Sequence, residues 1–343
     1  PESSSQWLVR AADVEPIGRP YRQESIPVME WVVDQSDDWL WTYLLGLNYW
    51  AVGRKADAAA KLKDLGARPD DASFYVARAA LLHEVEDHDE EVDLRRALTL
   101  DGFKPAIQLP LVQYLQRHDR WEEALKVTKQ FRETYVGQFN MDVLHARSLV
   151  HLNRPIDAIN VLQRSVILPS EGSRGGHTVY EEAHLMAGLD ELEEENCVGA
   201  LTFFETGLEW PENLGAGRGY DPDDRIFQFL IGTCNRKVGN DSDARTAFQR
   251  VIAATESRIG SSQLEHYLGF LAHQNLGNES GAQELIQILS ESAHSIQAST
   301  QWVLARAGHN LDRVWDLEAG EMGISDSFST WLFRRVVDLI AQH

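Results

Sequence analysis

Apolar residues recur along most of this chain at intervals of three and four, with polar residues between them, as in helices that bury one face. Period-two alternation is nearly absent, and no Asn-Gly or Asp-Gly turn joins two β-branched runs, so strands are not expected. A second, longer period lies over the first. The phrase Leu45-Gly46-x-x-Tyr49 is followed by Ala58, twelve residues after the glycine, and then by Leu62. One column of mostly small residues reads Gly46, Ala79, Val112, Ala146, Gly188, Gly232, Gly269. A second reads Ala58, Ala124, Ala158, Ala200, Ala244, Gly281. Four residues after the second column stands an apolar residue in Leu62, Leu162, Phe204, Phe248 and Leu285, with Thr128 departing. In the second repeat Glu91 falls near the small position. The phrase Ala97-Leu98-Thr99-Leu100-Asp101 still closes that repeat as the others close.

Ala58 and Ala124 are 66 residues apart, two periods of 33, and Ala124 and Ala158 are 34 apart. This spacing resembles the tetratricopeptide repeat. It predicts pairs of helices whose small residues face each other so that the two backbones approach closely. The expected fold is all-α: a tetratricopeptide-like α-solenoid of about seven hairpins, the plain alternative being an irregular helical domain. Residues 1–27, broken by Pro16, Gly18, Pro20 and Pro27, read as a linker or strap. The array would then be a single superhelical domain over 28–343, with its first helix starting near 26–29. A last helix near 327–341, with Phe328, Trp331, Leu332, Val336 and Leu339 at helical spacing, is expected to cap the stack. Repeats near 290–320 have no clear phase.

The period breaks twice in succession. Ala158 to Ala200 is 42 residues and Ala200 to Ala244 is 44. The extra length falls in two connections, 168–180 and 210–225, which join one hairpin to the next and so lie on the same edge of the stack, where insertions often form a binding face. They gather Glu171, Arg174, His177 and Tyr180 with Trp210, Glu212, Asn213, Arg218, Tyr220, Asp221, Asp223 and Arg225. Such a mixture suits a polar ligand, a sugar or a peptide terminus. The other reading is that the two loops interlock, with Asp–Arg pairs and a tryptophan plug, and that Asp223 or Asp224 caps the next helix.

Two signatures in these loops carry a family resemblance. They are Leu-Pro-x-Glu-Gly-x-x-x-Gly-His-x-x-Tyr at 168–180 and Trp-Pro-Glu-Asn-Leu-Gly-x-Gly-x-x-Tyr-Asp-x-Asp-x-Arg at 210–225. Both resemble a bacterial family of tetratricopeptide proteins of unknown function, over about residues 39–290. Long members of that family join an N-terminal β-rich domain, similar to carbohydrate-active and sugar-mutarotase-like sandwiches, to a C-terminal repeat array. The resemblance implies a carbohydrate connection for the parent protein. This chain departs from the pattern at Gly219, where a proline precedes the tyrosine, and at Ser170, where an aromatic is common.

Composition narrows the classes. With 53 acidic and 32 basic residues the formal charge is −21, which argues against nucleic acid and against an anionic membrane surface. No apolar run approaches the ~18 residues of a membrane span. Two cysteines, Cys197 and Cys234, make no disulfide framework or zinc spacing and read as half-buried packing thiols, compatible with a reducing cytoplasm. The chain begins Pro1-Glu2-Ser3 and reads as part of something longer.

Other chemistry is thin. His177 and His184 stand seven apart with Glu181 between them, but no His-Glu-x-x-His occurs, and hydrogen bonding is their expected role. Gly215-Ala216-Gly217-Arg218-Gly219 lacks the strand and the Gly-Lys-Ser/Thr of a phosphate loop. Asp221-Pro222-Asp223 lacks the later ligands of a calcium loop. No metal or cofactor is expected. The acidic runs 84–91 and 191–195 read as solvated turns. Glu171 and Glu212 lie one in each special loop, and acid–base work on a glycoside would fall to them. Trp31, Trp39, Trp41 and Trp50 crowd the first repeats. Trp39 and Trp41, two apart, are not expected to face inward together, leaving one for an upstream domain or a sugar. The expectation is a non-catalytic binding and assembly module. Its partner would be a protein domain, most simply its own upstream part, or a peptide. A helical part of a carbohydrate-processing enzyme and a structural spacer or oligomerisation module are the alternatives.

Overall fold

The computed structural model describes residues 23–85, 89–102, 104–169, 174–261, 263–292, 297–318 and 327–342. Among these residues there is no strand. Helix α1 (Ile26–Gln35) precedes a series of hairpins: α2 (Trp39–Ala51) with α3 (Lys55–Asp64), α4 (Ala72–Val85) with α5 (Glu90–Leu100), α6 (Pro105–Arg117) with α7 (Trp121–Thr134), and α8 (Phe139–His151) with α9 (Pro155–Arg164). Then come α10 (Gly175–Glu193) with α11 (Cys197–Gly207), α12 (Arg225–Lys237) with α13 (Asp241–Ser257), α14 (His266–Asn275) with α15 (Glu279–Glu291), and α16 (Ala298–Ala307) with α17 (Leu311–Glu318). Helix α18 (Phe328–Gln342) ends the series. The fold is a tetratricopeptide-like α-solenoid. The strap expected at its start lies largely outside the described residues.

One turn recurs inside these hairpins. The residue before the second helix's N-cap has positive φ: Gly53, Asp119, Asn153, Glu195, Gly239, Gly277 and His309. The next N–H reaches back five residues, as from Arg54 to the Tyr49 carbonyl at 2.8 Å and from Asn196 to that of Glu191 at 2.8 Å. This is the Schellman ending, which satisfies the last carbonyls of one helix while starting the next.

The second small column lies four residues after this N-cap. Ala58, Ala124, Ala158, Ala200 and Ala244 donate their N–H groups to the cap carbonyls and are buried. The same distance from the cap corrects two positions. In the seventh hairpin the column holds Ala282, four after Asn278, and not Gly281. In the second it holds Asp93, four after the cap Asp89, and not Glu91. Asp93 is 1% exposed and accepts from Arg78 Nε at 2.8 Å and Nη2 at 2.5 Å. An eighth hairpin, too degenerate to phase by pattern, has Val314 in the column behind Asn310.

The small residues do not simply face each other. A Cβ on Gly46 would sit 2.2 Å from Leu62 Cδ1, one on Gly188 2.2 Å from Phe204, and one on Gly232 2.8 Å from Phe248. The glycine receives the large side chain sixteen residues later, and the alanine lets the backbones close around it.

The chain divides into two compact units, residues 1–148 and 149–343. In the first, α1 and α2 pack on α4 through Met29, Tyr43, Leu45, Phe74 and Tyr75. Trp39 and Trp41 both pack partly against this core, contrary to expectation, because α2 is covered on two sides; Trp31 is the exposed one at 49%. Thr128, the departure from the apolar column, is buried and bonds the Ala124 carbonyl at 3.0 Å and His145 Nδ1 at 2.7 Å. In the second unit, Phe229, Phe248, Trp302, Leu317 and Phe333 share one core. Cys197 and Cys234 are fully buried rather than half-buried. Burial, with the neighbouring Cys197 thiol, pushes the Cys234 thiol well up.

Candidate functional site

Both long connections belong to the second unit, and the structure sorts their residues into a sealed group and an open one. The first connection leaves α9 as extended backbone. Ile167 donates its N–H to the Asn213 carbonyl at 2.8 Å, while Asn213 Nδ2 returns two bonds of 2.9 Å to the Leu162 and Ser165 carbonyls. The 210–225 loop is thus pinned to the end of α9. Gly215, with φ 67°, and Gly176 permit this approach. A Cβ on the former would lie 2.6 Å from the Ile167 carbonyl oxygen, and one on the latter 2.3 Å from Ile167 Cδ1.

His177, on the first turn of α10, is 2% exposed and stacks on Trp210 with centroids 3.5 Å apart. Its Nε2 meets the Glu209 carbonyl at 3.2 Å and its Nδ1 lies 3.3 Å from Glu181. Tyr180 donates to the Thr206 carbonyl at 2.9 Å, and burial pushes its phenol up to about 12. His184 meets the Tyr180 carbonyl at 2.8 Å, and burial lowers its pKa. Arg174 lays its guanidinium 5.7 Å from the Trp210 ring. A Cβ at Gly219 would lie 2.6 Å from Arg174 Nη2, so the glycine leaves room for that arginine. These contacts join the two loops and use the polar atoms of His177, Tyr180 and Asn213 internally. Glu171 lies outside the described residues, and Glu212 is exposed.

The second group hangs on Arg225. Its side chain is wholly buried at the start of α12. It donates Nε–H to Asp223 Oδ1 at 2.8 Å and Nη2–H to Asp223 Oδ2 at 2.5 Å, and it also donates to Gln263 and to His266 Nδ1, the last at 3.3 Å. Arginine is an obligate donor, so His266 accepts through Nδ1 and is neutral there. Burial first, and Arg225 second, push His266 down to about 4. Burial outweighs the pull of Arg218 and raises the Asp224 carboxyl, whereas Arg225 holds that of Asp223 low against its own burial. Arg258 pairs with Asp221 at 2.7 Å. Arg225 therefore ties the loop both to its own helix and to the connection that follows α13.

Above this anchor the loop walls a groove of about 640 Å³ over α12 and α13. Arg218, Tyr220, Asp221 and Asp224 line one side, and Leu208, Gln228, Arg250 and Ala254 the other. Arg218 donates to Asp224 at 2.9 Å, Arg250 to Gln228 at 3.4 Å, and Tyr220 is fully exposed. Gln228, Arg250 and Arg258 escape sequence reasoning because they sit within or just after ordinary helices. Of the residues the sequence singles out, Arg218, Tyr220, Asp221 and Arg225 meet at this groove. Arg174, His177, Tyr180 and Trp210 meet at the sealed contact. Among the described residues no three His, Cys, Asp or Glu side chains converge as metal ligands, and no helix is long and apolar enough to cross a membrane.

No protein-family model matches the sequence, and no curated protein matches it. Among solved structures, the chain is similar to the C-terminal part of a TPR repeat-containing protein from Cytophaga hutchinsonii. The TM-score is 0.51 and the identity 11%, over 71% of this chain and 94% of that one. A tetratricopeptide repeat protein from Parabacteroides merdae aligns with a TM-score of 0.47 and 15% identity, over 78% and 98% of the two chains. The pilF protein of Pseudomonas aeruginosa aligns with a TM-score of 0.41 and 17% identity, over 73% and 99%. The first of these likenesses supports the repeat fold and nothing beyond it.

Proposed function

We propose that this chain is a non-catalytic binding and assembly module, working in the cytoplasm, and that the groove under residues 218–225 is its recognition site. The observation that carries the reading is a fully exposed tyrosine and two exposed arginines, Arg218 and Arg250, around a polar groove whose loop is held from below by buried Arg225. Tyrosine and arginine on a preorganised surface are the residues that supply most binding energy in protein interfaces. The partner is a protein segment: a peptide, or a domain of the same polypeptide upstream of the array. A carbohydrate is the competing ligand, favoured by the family resemblance of the two loops. Trp210 is a poor platform for it, since His177 covers one face of that ring.

A thermal-shift screen with short peptides of mixed charge, mono- and oligosaccharides, and sugar phosphates tests this reading. A ligand at ~100 times its dissociation constant stabilises the chain by about 2.7 kcal/mol. The expected result is a rise with peptides that Tyr220→Ala and Arg250→Ala both abolish. A sugar-specific rise lost in the same variants would move the assignment to carbohydrate. A flat response across the panel would remove the groove from recognition.

A further inference from the structure

Helix α18 does more than cap the array. One face packs Phe333 and Val337 into the core of Trp302, Val303 and Leu317, as a cap should. A different contact leads far back in sequence. Phe328 stacks on His151 at the end of α8, with centroids 4.0 Å apart. Arg335 Nη2 lies 2.8 Å from Asp190 Oδ1 and 2.8 Å from Glu193 Oε1 near the end of α10, and its Nε donates to Glu193 at 3.1 Å. Phe328 and Arg335 are seven residues apart, two helical turns on one face.

The second contact is chemically unlike the first. It joins an aromatic–histidine stack to an arginine between two carboxylates, and those carboxylate side chains are 41% and 47% exposed. Such pairs are screened by salt and stabilise little on their own. The seam is also open: a cleft of about 420 Å³ remains beside Glu193, Trp331 and Arg335, and Trp331 is 47% exposed. A contact of this kind persists mainly because the helix is tethered, at an effective concentration in the millimolar range.

We infer that the ends of α8 and α10 form a seat for an amphipathic helix carrying an arginine two turns after an aromatic residue, and that α18 fills it in cis. A helix of that chemistry from another protein takes the seat by displacing α18. The acidic pair Asp190 and Glu193 selects the arginine, and His151 selects the aromatic ring. This surface is separate from the groove over α12 and α13, and either assignment stands without the other.

The probe is a labelled peptide of residues 327–342, followed by fluorescence anisotropy on the full chain. Arg335→Glu with Phe328→Ala in the chain weakens the cis helix at the seat and leaves its packing on α16 and α17 in place. The peptide is expected to bind this variant at least tenfold more tightly than the parent chain, and adding Asp190→Arg should abolish the gain. Equal binding to parent and variant, or a gain indifferent to Asp190→Arg, would overturn the proposal. Hydrogen exchange gives a second reading without peptide. The variant should lose protection in the last turns of α10, and unchanged protection there would equally count against the seat.

Discussion

The two units use the same hairpin but join and cap it differently. In the first, Arg54 and Arg120 stand at N-caps and pair with an acid three residues on, Nε to Asp57 at 2.7 Å and to Glu123 at 2.6 Å. Arg95, Arg117 and Arg120 extend this to Glu90, Glu91 and Glu123 in a half-exposed network. The second unit repeats this cap once, with Arg154 paired to Asp157 at 2.6 Å before α9, and then turns to asparagines. Asn196, Asn278 and Asn310 each accept an N–H three residues on at 3.1 Å. A buried guanidinium then orders a long connection: Arg225 holds Asp223 and meets His266, while His177 and His184 meet backbone carbonyls. The contrast teaches where specificity of structure lies. Surface pairs decorate a turn that the backbone already makes, whereas buried polar groups decide how an irregular loop lies.

The largest test of that contrast is Arg225→Met. Removing one partner of a buried pair costs ~3–5 kcal/mol. Asp223 is partly exposed and keeps Arg258 nearby at 3.9 Å, so the loss should fall at the low end, about 3 kcal/mol. Urea unfolding measures it. Arg120→Ala in the first unit should cost far less and shrink further in salt. Equal losses would erase the distinction between the units.

A glycine comparison comes next. At Gly188 an added methyl meets the rigid ring of Phe204, and Gly188→Ala should cost ~1–3 kcal/mol by overpacking. At Gly46 the neighbour is the flexible end of Leu62, so Gly46→Ala should cost less, again read from denaturation midpoints.

Acid should act on the second unit. Burial lowers the pKa of His184, His266 and His273 in the folded chain, to about 4 for His266, against ~6.5 unfolded. The unfolded chain then binds more protons, so their contribution is complete above pH 6.5 and is lost as pH falls towards 4. Burial raises the Glu265 and Asp224 carboxyls, which acts in the opposite sense at the acidic end. His266→Gln isolates the histidine: its stability should fall less steeply than the parent's between pH 6.5 and 4. Parallel curves would show that His266 does not titrate on unfolding.

The smallest effect concerns the shared turn. Asp119 in the first unit and Glu195 in the second hold φ of 54° and 61°. A left-handed residue with a side chain costs ~1–2 kcal/mol, partly offset by the entropy glycine loses on folding. Asp119→Gly and Glu195→Gly should each stabilise by roughly 0.5–1 kcal/mol, measured by melting temperature.

The repeat was legible because its columns are shaped by backbone proximity, which favours Ala or Gly. Ala58, Ala124, Ala158, Ala200 and Ala244 announce it. The misses have physical causes. Asp93 occupies a small-residue position by pairing with Arg78, and a pattern of apolar letters cannot show a buried ion pair. Ala282 was hidden by the adjacent Gly281, and Val314 by its size. In the loops, composition marked both connections as special but could not divide them. Whether an arginine is an anchor like Arg225 or an exposed surface group like Arg250 depends on what folds over it, and Gln263 and His266 lie some forty residues further on. The return of α18 to α10 had no local signature.

That return changes how the second unit comes apart. A row of hairpins that touch only their neighbours frays from its ends, one hairpin at a time. With Arg335 bonded to Asp190 and Glu193 in the fifth hairpin, the last helix cannot peel off without breaking contacts near the middle of the chain. Release of α18 should therefore be felt as far back as the last turns of α10, a coupling between the end of the array and its fifth hairpin that salt weakens.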